Sequence, residues 1–478
     1  MTGGTAGAAA AAAAGAAFAS ALPAGRWSQD GAVVDAHRLD RSGWRPPGRP
    51  LGVAFAGGVD DVRAVLRTAL ASGTPVTVRG AGTGLAGGAA APDGAVILDV
   101  SGMNRIRELS VPDAVAVVEP GVITDDLDRA AREVGLSYSP DPASSAISTI
   151  GGNIATNAGG LRCAKYGVTR ESVLGLDVVL ADGELVSTGR RTVKGVAGYD
   201  LTGLFVGSEG TLGVVVGATL RLRPAPRRTV TLAAFFDSFG AAVDAVTAIM
   251  ATGIVVAMAE LLDGPTVRAV DAATGGDLAD AGQALLLVQT DGAGADDEAD
   301  AVEAVLRGPA RAVRRAADPA AAAELLAARR AALPSLERIG RVLIEDIAVP
   351  RSQLARAAAR ITEISAATGV RIFTIAHAAD GNLHPIIVVD GSDRLNGTDG
   401  TDGPDRAADE IPADVWKAAD LIFQTALDLG GTVTGEHGIG ALKRRWLGAE
   451  LGTANHSLQQ RLRHLFDPTG ILSPGRGL

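Results

Sequence analysis

At 478 residues the chain is long enough for two or three domains, each with ample core. Apolar residues make up 47% of it and aromatics only 3%, so alanine, valine and leucine must fill the interior. A net charge of −10 with no basic block argues against nucleic acid, and the single Cys163 excludes a disulfide framework or a cysteine metal site.

Residues 7–22 are alanine-rich, and no Lys or Arg precedes Arg26. The stretch lacks the basic and strongly apolar parts of a signal peptide and reads as a disordered, low-complexity tail over 1–25. No other 18-residue span is apolar enough to cross a membrane. One unpaired cysteine fits a reducing compartment, so the expected location is the cytoplasm, free or held peripherally at a membrane.

Leu51 to Phe55 reads as a strand. Val62, Val65, Leu66, Ala69 and Leu70 then recur at helical spacing, with Gly73 at the stop position. A strand over Pro75–Val78 ends in Arg79 and runs into Gly80-Ala81-Gly82-Thr83-Gly84-Leu85-Ala86-Gly87-Gly88. Gly82, Gly84 and Gly87 spell G-x-G-x-x-G, but the next strand begins at Ala95, which leaves no room for a crossover helix. The dinucleotide-binding βαβ reading therefore fails. A loop with five glycines and a flanking arginine still suits an anion, because successive backbone N–H groups can converge on it. Val115–Val118 is a further strand, and Ile123–Val134 a helix with Thr124 as its expected N-cap and Gly135 past its end.

A second small-residue block runs from Ser148 through Gly151, Gly152, Asn153, Thr156 and Asn157 to Gly160, preceded by Pro140 to Ser145. Ser145, Thr149, Asn153, Thr156 and Asn157 offer hydrogen bonds to the polar edges of a ligand. A third block, Gly207 to Gly213, precedes a strand at Val214–Val216. Three such blocks joined by strands suggest one extended ligand touched along its length.

Beyond Pro224 the pattern changes. Strands at 229–236 and 285–288 alternate with helices at 239–250 and 297–306, the order of a ferredoxin-like α+β cap. Residues 391–410 read as a polar, mobile loop, and 413–429 as a helix returning toward the first domain. In Phe373 to Val389, two apolar runs flank Asp380-Gly381, a two-residue hairpin signal. With those two residues as the turn, His377 faces His384 across the strands, Cβ atoms ~5 Å apart, a spacing at which two imidazoles can share one metal ion. Glu436-His437 follows in a glycine-rich loop. In extended backbone these neighbours point to opposite sides; a glycine-flanked loop can bring them together.

The blocks Val78–Gly88, Gly151–Gly160 and Gly207–Gly213 resemble the FAD-binding domain of the vanillyl-alcohol-oxidase flavoprotein superfamily, and within it the FAD-linked D-2-hydroxyacid dehydrogenases. The resemblance covers about residues 45–478. It implies an α+β fold: a two-subdomain FAD-binding domain over 26–226, a ferredoxin-like cap over 227–412 and a C-terminal helical segment over 413–478 packing back on the FAD domain. FAD would be touched by Val78, Arg79, Gly80, Ala81, Gly82, Thr83, Gly84, Pro140, Ser145, Gly151, Gly152, Asn153, Thr156, Asn157, Gly159, Gly160, Glu209 and Gly210. Family members with covalent flavin commonly carry histidine in the first loop; Thr83 and Gly84 here imply non-covalent FAD. Val78 stands where the family usually has proline, and Ala376, Ala378 and Ala379 where many relatives have glycine.

The resemblance further implies a divalent metal on His377, His384 and Glu436, a donor set that suits zinc or manganese. It gives His437 the role of general base and Arg329 that of substrate-carboxylate anchor, with Arg330 facing solvent. Lys443 is a second anion binder or a helix-surface charge. The substrate class is a small 2-hydroxyacid, and the electron acceptor a protein or a quinone, with a homodimer or partner subunits compatible with both. Two other readings stay open: a non-redox FAD transferase resembling alkylglycerone-phosphate synthase, and a metal-dependent hydrolase.

Overall fold

A computed structural model of the chain describes residues 3–389 and 411–478. The polar loop expected over 391–410 lies outside the described residues. The chain forms two units: one of residues 1–160, 167–225 and 436–478, the other of 161–166 and 226–435.

The first unit holds two main sheets. β1 (Trp27–Ser28), β2 (Gly52–Phe55), β3 (Val76–Arg79) and β4 (Val96–Asp99) make a four-stranded sheet in the order β1-β2-β4-β3, with β4 parallel to both neighbours. The helix Val59–Ser72 packs Val62, Val65, Leu66 and Ala69 on it and stops at Gly73, whose φ of 66° is the left-handed cap glycine tolerates. β5 (Ile106–Ser110), β6 (Val115–Val118), β8 (Val173–Val179), β9 (Leu185–Gly189) and β10 (Val214–Arg221) form an antiparallel sheet ordered β5-β6-β10-β8-β9. β7 (Leu136–Ser137) and β11 (Arg223–Pro224) pair separately. The helix Thr124–Glu133 buries Leu127 and Ala131 against the five-stranded sheet. Its N-cap is Ile123 and not Thr124: the Thr124 hydroxyl is taken up by Ser148 O at 3.1 Å and Asn153 Nδ2 at 2.7 Å.

The alanine-rich start is ordered, against expectation. Gly3–Ala21 is a helix, and Phe18 and Leu22 enter the core beside Val62 and Leu66. The Phe18 ring stacks on Trp27 at 5.3 Å. Alanine has the strongest helix propensity, and two apolar anchors suffice to dock such a helix, so low complexity here does not mean disorder.

The second unit has an eight-stranded, antiparallel sheet. β12 (Thr229–Phe236), β13 (Met258–Asp263), β14 (Ala284–Asp291) and β15 (Ala312–Arg315) lie in the order β15-β12-β14-β13, the fourth-first-third-second arrangement of a ferredoxin-like unit. Helices Phe239–Ala251 and Ala295–Leu306 make the two crossovers. β18 (Ile372–His377) and β19 (Asn382–Val388) extend the sheet beyond β13, with β16 (Val342–Ile344) and β17 (Ile347–Ala348) on β19. One face is covered by the helices Gly264–Thr274 and Pro319–Glu337, which bury Val267, Val270, Ala328, Ala332 and Leu336 against Met258, Leu262, Phe373, Ile375, Ile386 and Val388.

The helix Ala413–Asp428 packs on the helix Leu354–Thr368 within this unit. The expected boundary at 413 is thus moved to 436, because the apolar face Val415, Ala418, Ala419, Ile422 and Phe423 is buried here. The short Leu161–Tyr166 excursion also belongs to the second unit, where Lys165 Nζ and the Tyr166 hydroxyl hold the two oxygens of Asp291 at 2.6 and 2.7 Å.

Candidate active site

The first-unit glycine loop leaves β3 and reaches β4 without a helix. Arg79 is buried and does not reach outward; its Nη1 donates to Leu39 O at 2.6 Å, and a side chain at Gly82 would strike its guanidinium. Gly82 has φ of 70° and Gly87 of 77°, conformations that favour glycine. The Asp40 carboxylate accepts Ala89 N at 3.2 Å, and Arg41 N donates to Gly82 O at 3.1 Å. Among the described residues none accepts from the backbone N–H groups of Ala81 to Gly88. Eight successive donors on a braced loop suit the phosphates of a dinucleotide, with Asp40 Oδ2 lying 3.7 Å from where a Cβ on Gly84 would stand.

The second block forms a short helix, Ile150–Thr156, capped by the Thr149 hydroxyl on Gly152 N. Not all its polar side chains point outward. Asn153 is buried on Thr124, and the Asn157 side-chain Oδ1 accepts Arg170 N at 2.9 Å, so these two build the loop itself. Gly160, with φ of 152°, lies against Asp141 and Pro142. Pro140 and Gly159 are buried, while Ser145 and Thr156 are partly exposed. In the third block, Glu209 (φ 53°) and Gly210 (φ 69°) make a left-handed turn. The Glu209 carboxylate accepts Ile439 N at 2.8 Å and Gly440 N at 2.7 Å. Burial raises its pKa, against the lowering effect of those N–H groups and of Arg476 and Lys443.

In the second unit the hairpin turn is longer than expected. His377 pairs with Asn382 and Ile375 with His384, so the turn spans four residues, 378–381, with Asp380 N on His377 O and Gly381 at φ of 87°. The histidines are therefore not opposite each other in the ladder. The displacement is even, however, and a strand repeats every two residues, so both stay on one face. Their rings meet edge to face, centroids 4.9 Å apart, and each offers a ring nitrogen within 4.8 Å of the other's.

Two carboxylates that sequence reasoning passed over stand beside them. Glu260, fully buried in β13, lies opposite His377 in the ladder. Its Oε1 is 2.6 Å from His377 Nδ1 and its Oε2 2.6 Å from Arg329 Nε. Burial, the largest influence, pushes its pKa up, but His377 and Arg329 together outweigh that and hold it below the usual range. Asp346 accepts Asn382 Nδ2 and the Thr434 hydroxyl, each at 2.7 Å, and its Oδ1 stands 3.9 Å from His384 Nδ1. Asp346 and its buried neighbour Glu345 interrupt the apolar run Val342–Ala348, the one signal that could have exposed them. Glu260 sits as a lone carboxylate in Met258-Ala-Glu-Leu-Leu262, inside a strand that is buried on both faces.

Arg329, 12% exposed, thus has its Nε edge occupied by Glu260 and its Nη edge left for a second acceptor, while Arg330 is exposed as expected. The donor chemistry fits a divalent ion: two imidazoles side by side, one of them backed by a carboxylate on its far nitrogen. Gly435, the residue before Glu436, packs against Asn382 and Asp346.

Glu436 and His437 open the last stretch of the first unit, in a bend and not in extended backbone. Their side chains consequently converge, His437 Nε2 lying 3.9 Å from Glu436 Oε1. Lys443 is 2% exposed at the start of the helix Arg444–Phe466, which removes the reading as a helix-surface charge.

Residues 50–189 match the FAD binding domain family, and residues 225–476 match the C-terminal domain of FAD linked oxidases. The glycolate oxidase subunit GlcD of Bacillus subtilis is 41% identical over 421 residues, 87% of this chain and 86% of that protein. A D-lactate dehydrogenase of Anaerostipes hadrus is 32% identical over 440 residues, 90% of this chain and 89% of that one. The solved structure of p-cresol methylhydroxylase with substrate bound superposes with a TM-score of 0.76 at 19% identity, over 98% of this chain and 96% of that one. For 4-ethylphenol oxidase from Gulosibacter chungangensis the TM-score is 0.75 at 19% identity, over 98% and 97%. These two likenesses show the fold, that of the vanillyl-alcohol-oxidase flavoproteins. Among the described residues no helix is long and apolar enough to cross a membrane.

Proposed function

The chain belongs to the FAD-linked oxidases, and on that footing we propose that it is an FAD-dependent dehydrogenase converting a D-2-hydroxyacid to the 2-oxoacid with the help of a divalent metal. The observation that carries the reading is the Arg329–Glu260–His377 chain of contacts beside His384, which links the arginine proposed as carboxylate anchor to the two imidazoles proposed as metal ligands. The first-unit loops hold FAD non-covalently, since the glycine loop carries no histidine. His377, His384 and Glu436 hold zinc or manganese. When bound, the metal acidifies the C2 hydroxyl and FAD accepts the C2 hydrogen with its electron pair.

The protein's own groups do the rest. Arg329 binds the substrate carboxylate through its Nη edge, a bidentate, charge-assisted contact that fixes the C2 face. His437 accepts the hydroxyl proton. Lys443 is the second candidate for an anion. Electrons pass on to an acceptor protein or a quinone, and the subunit status of the GlcD relatives favours a partner chain. The enzyme works in the cytoplasm or peripherally at its membrane.

The test is anaerobic mixing of the yellow protein with a panel of D- and L-2-hydroxyacids. Bleaching by D-acids alone, with steady reduction of an external dye, is expected. Bleaching by L-acids alone reverses the stereochemistry. A flavin that none of them bleaches supports the non-redox transferase, and a colourless protein the hydrolase.

A further inference from the structure

Glu260 touches both ends of this chemistry. It lies on the helix-covered face of the second-unit sheet, directly opposite His377 across the β13–β18 ladder. Arg329 reaches it from the helix Pro319–Glu337. Both contacts are 2.6 Å, and they use different oxygens.

Resting on the reading of His377 as a metal ligand and Arg329 as the carboxylate anchor, we propose that Glu260 is a positioning residue that fixes the His377 tautomer and the Arg329 fork together. An ionised carboxylate only accepts hydrogen bonds, so the Nδ1 of His377 must carry the proton. The Nε2 lone pair is thereby left for a metal, the arrangement in which a carboxylate orients a ligating imidazole and raises its basicity. The same carboxylate holds Arg329 Nε, which turns the Nη edge away from Glu260 and keeps it for the substrate. Register contributes to the rigidity. The carboxylate and the imidazole stand on neighbouring strands and cannot drift apart without breaking the ladder.

The substitution Glu260→Gln separates this role from a buried ion pair that merely ties helix to sheet. Arg329 can only donate, so it takes the amide oxygen. The amide NH2 is then left facing His377, whose Nδ1 must become the acceptor and whose proton moves to Nε2. A metal binding at Nε2 must then send that proton back to Nδ1, against the amide NH2, and its affinity falls by the cost of that mismatch. The measurement is zinc and manganese retention by the flavin-loaded protein against a graded chelator, beside KM for a bleaching 2-hydroxyacid and the thermal midpoint.

We expect Glu260→Gln to bind metal about ten- to a hundredfold more weakly, to raise KM, and to keep its flavin. Metal affinity and KM equal to wild type would overturn the proposal, whatever the thermal midpoint does. If wild type itself takes up neither metal, the reading of His377 falls, and this proposal with it. Should Glu260→Gln not fold, Glu260→Asp takes its place: one methylene shorter, it reaches one partner at a time, and it must lose either metal affinity or substrate affinity for the proposal to stand.

Discussion

Glu209 accepts the backbone N–H groups of Ile439 and Gly440, residues 230 and 231 positions further along the chain, with a single carboxylate. A turn in the third glycine block thus pins the segment that begins with Glu436 and His437. Glu209→Ala leaves two part-buried donors without their charged acceptor, a loss of about 2–4 kcal/mol. Equilibrium urea unfolding checks this, and a midpoint unchanged from wild type would show that the segment is held by other means.

The metal assignment predicts two phenotypes. His377→Ala, His384→Ala and Glu436→Ala should each lose metal and turnover while the flavin spectrum persists, because the flavin loops lie elsewhere in the sequence. His437→Asn should keep its metal and slow by ~10²–10⁴, the usual worth of a general base. Since Glu436 and His437 converge at 3.9 Å and do not diverge, metal analysis of the His437 variant is the sharper test. Loss of metal there would make it a fourth ligand.

Arg329→Ala should weaken 2-hydroxyacid turnover by about 2–5 kcal/mol in kcat/KM, through the missing bidentate contact and the stranded Glu260 carboxylate. Flavin content should not change. Unaltered kinetics would transfer the anchor to Lys443.

Phe18 lies in the first-unit core, so Phe18→Ala should destabilise the protein by roughly 3–5 kcal/mol. A disordered tail would register no change in thermal midpoint.

Asp263 caps the helix Gly264–Thr274 through Thr266 N and also accepts Thr374 N at 2.8 Å. Burial raises its pKa from 3.8 to about 6, against those hydrogen bonds and Arg268. Because the folded value lies above the unfolded one, its stabilising effect is full at low pH and is lost as pH rises through about 6. Asp263→Asn should therefore flatten the stability profile between pH 4 and 6. An unchanged slope would assign it to another group.

Local pattern was enough for much of this molecule. Thr229–Phe236 and Val115–Val118 appear at their expected bounds, and the ferredoxin-like order follows from strand and helix alternation. The histidine pair survived a wrong turn length only because the slip was even. What stayed hidden depends on partners distant in sequence. Glu260 has meaning only beside Arg329 and His377, 69 and 117 residues away. The helix Ala413–Asp428 reads as amphipathic, but nothing local says which unit its apolar face meets. Asn153 and Arg79 look like ligand contacts in a motif and turn out to brace the loops that carry it.

β3 is an edge strand, and its open side is filled by residues 471–473: Val76 N donates to Ile471 O at 2.7 Å, and Ser473 N to Val76 O at 2.8 Å. Ile471 and Leu472 also complete the hydrophobic cluster around the strand. During synthesis the glycine loop that follows β3 therefore emerges some four hundred residues before the segment that seals its sheet. The second unit, whose residues all lie before 436, can be finished on the ribosome while the first still shows an unpaired edge. The nascent chain thus carries an exposed strand for most of its translation. Order of manufacture, and not only final stability, is where this fold is most vulnerable to aggregation.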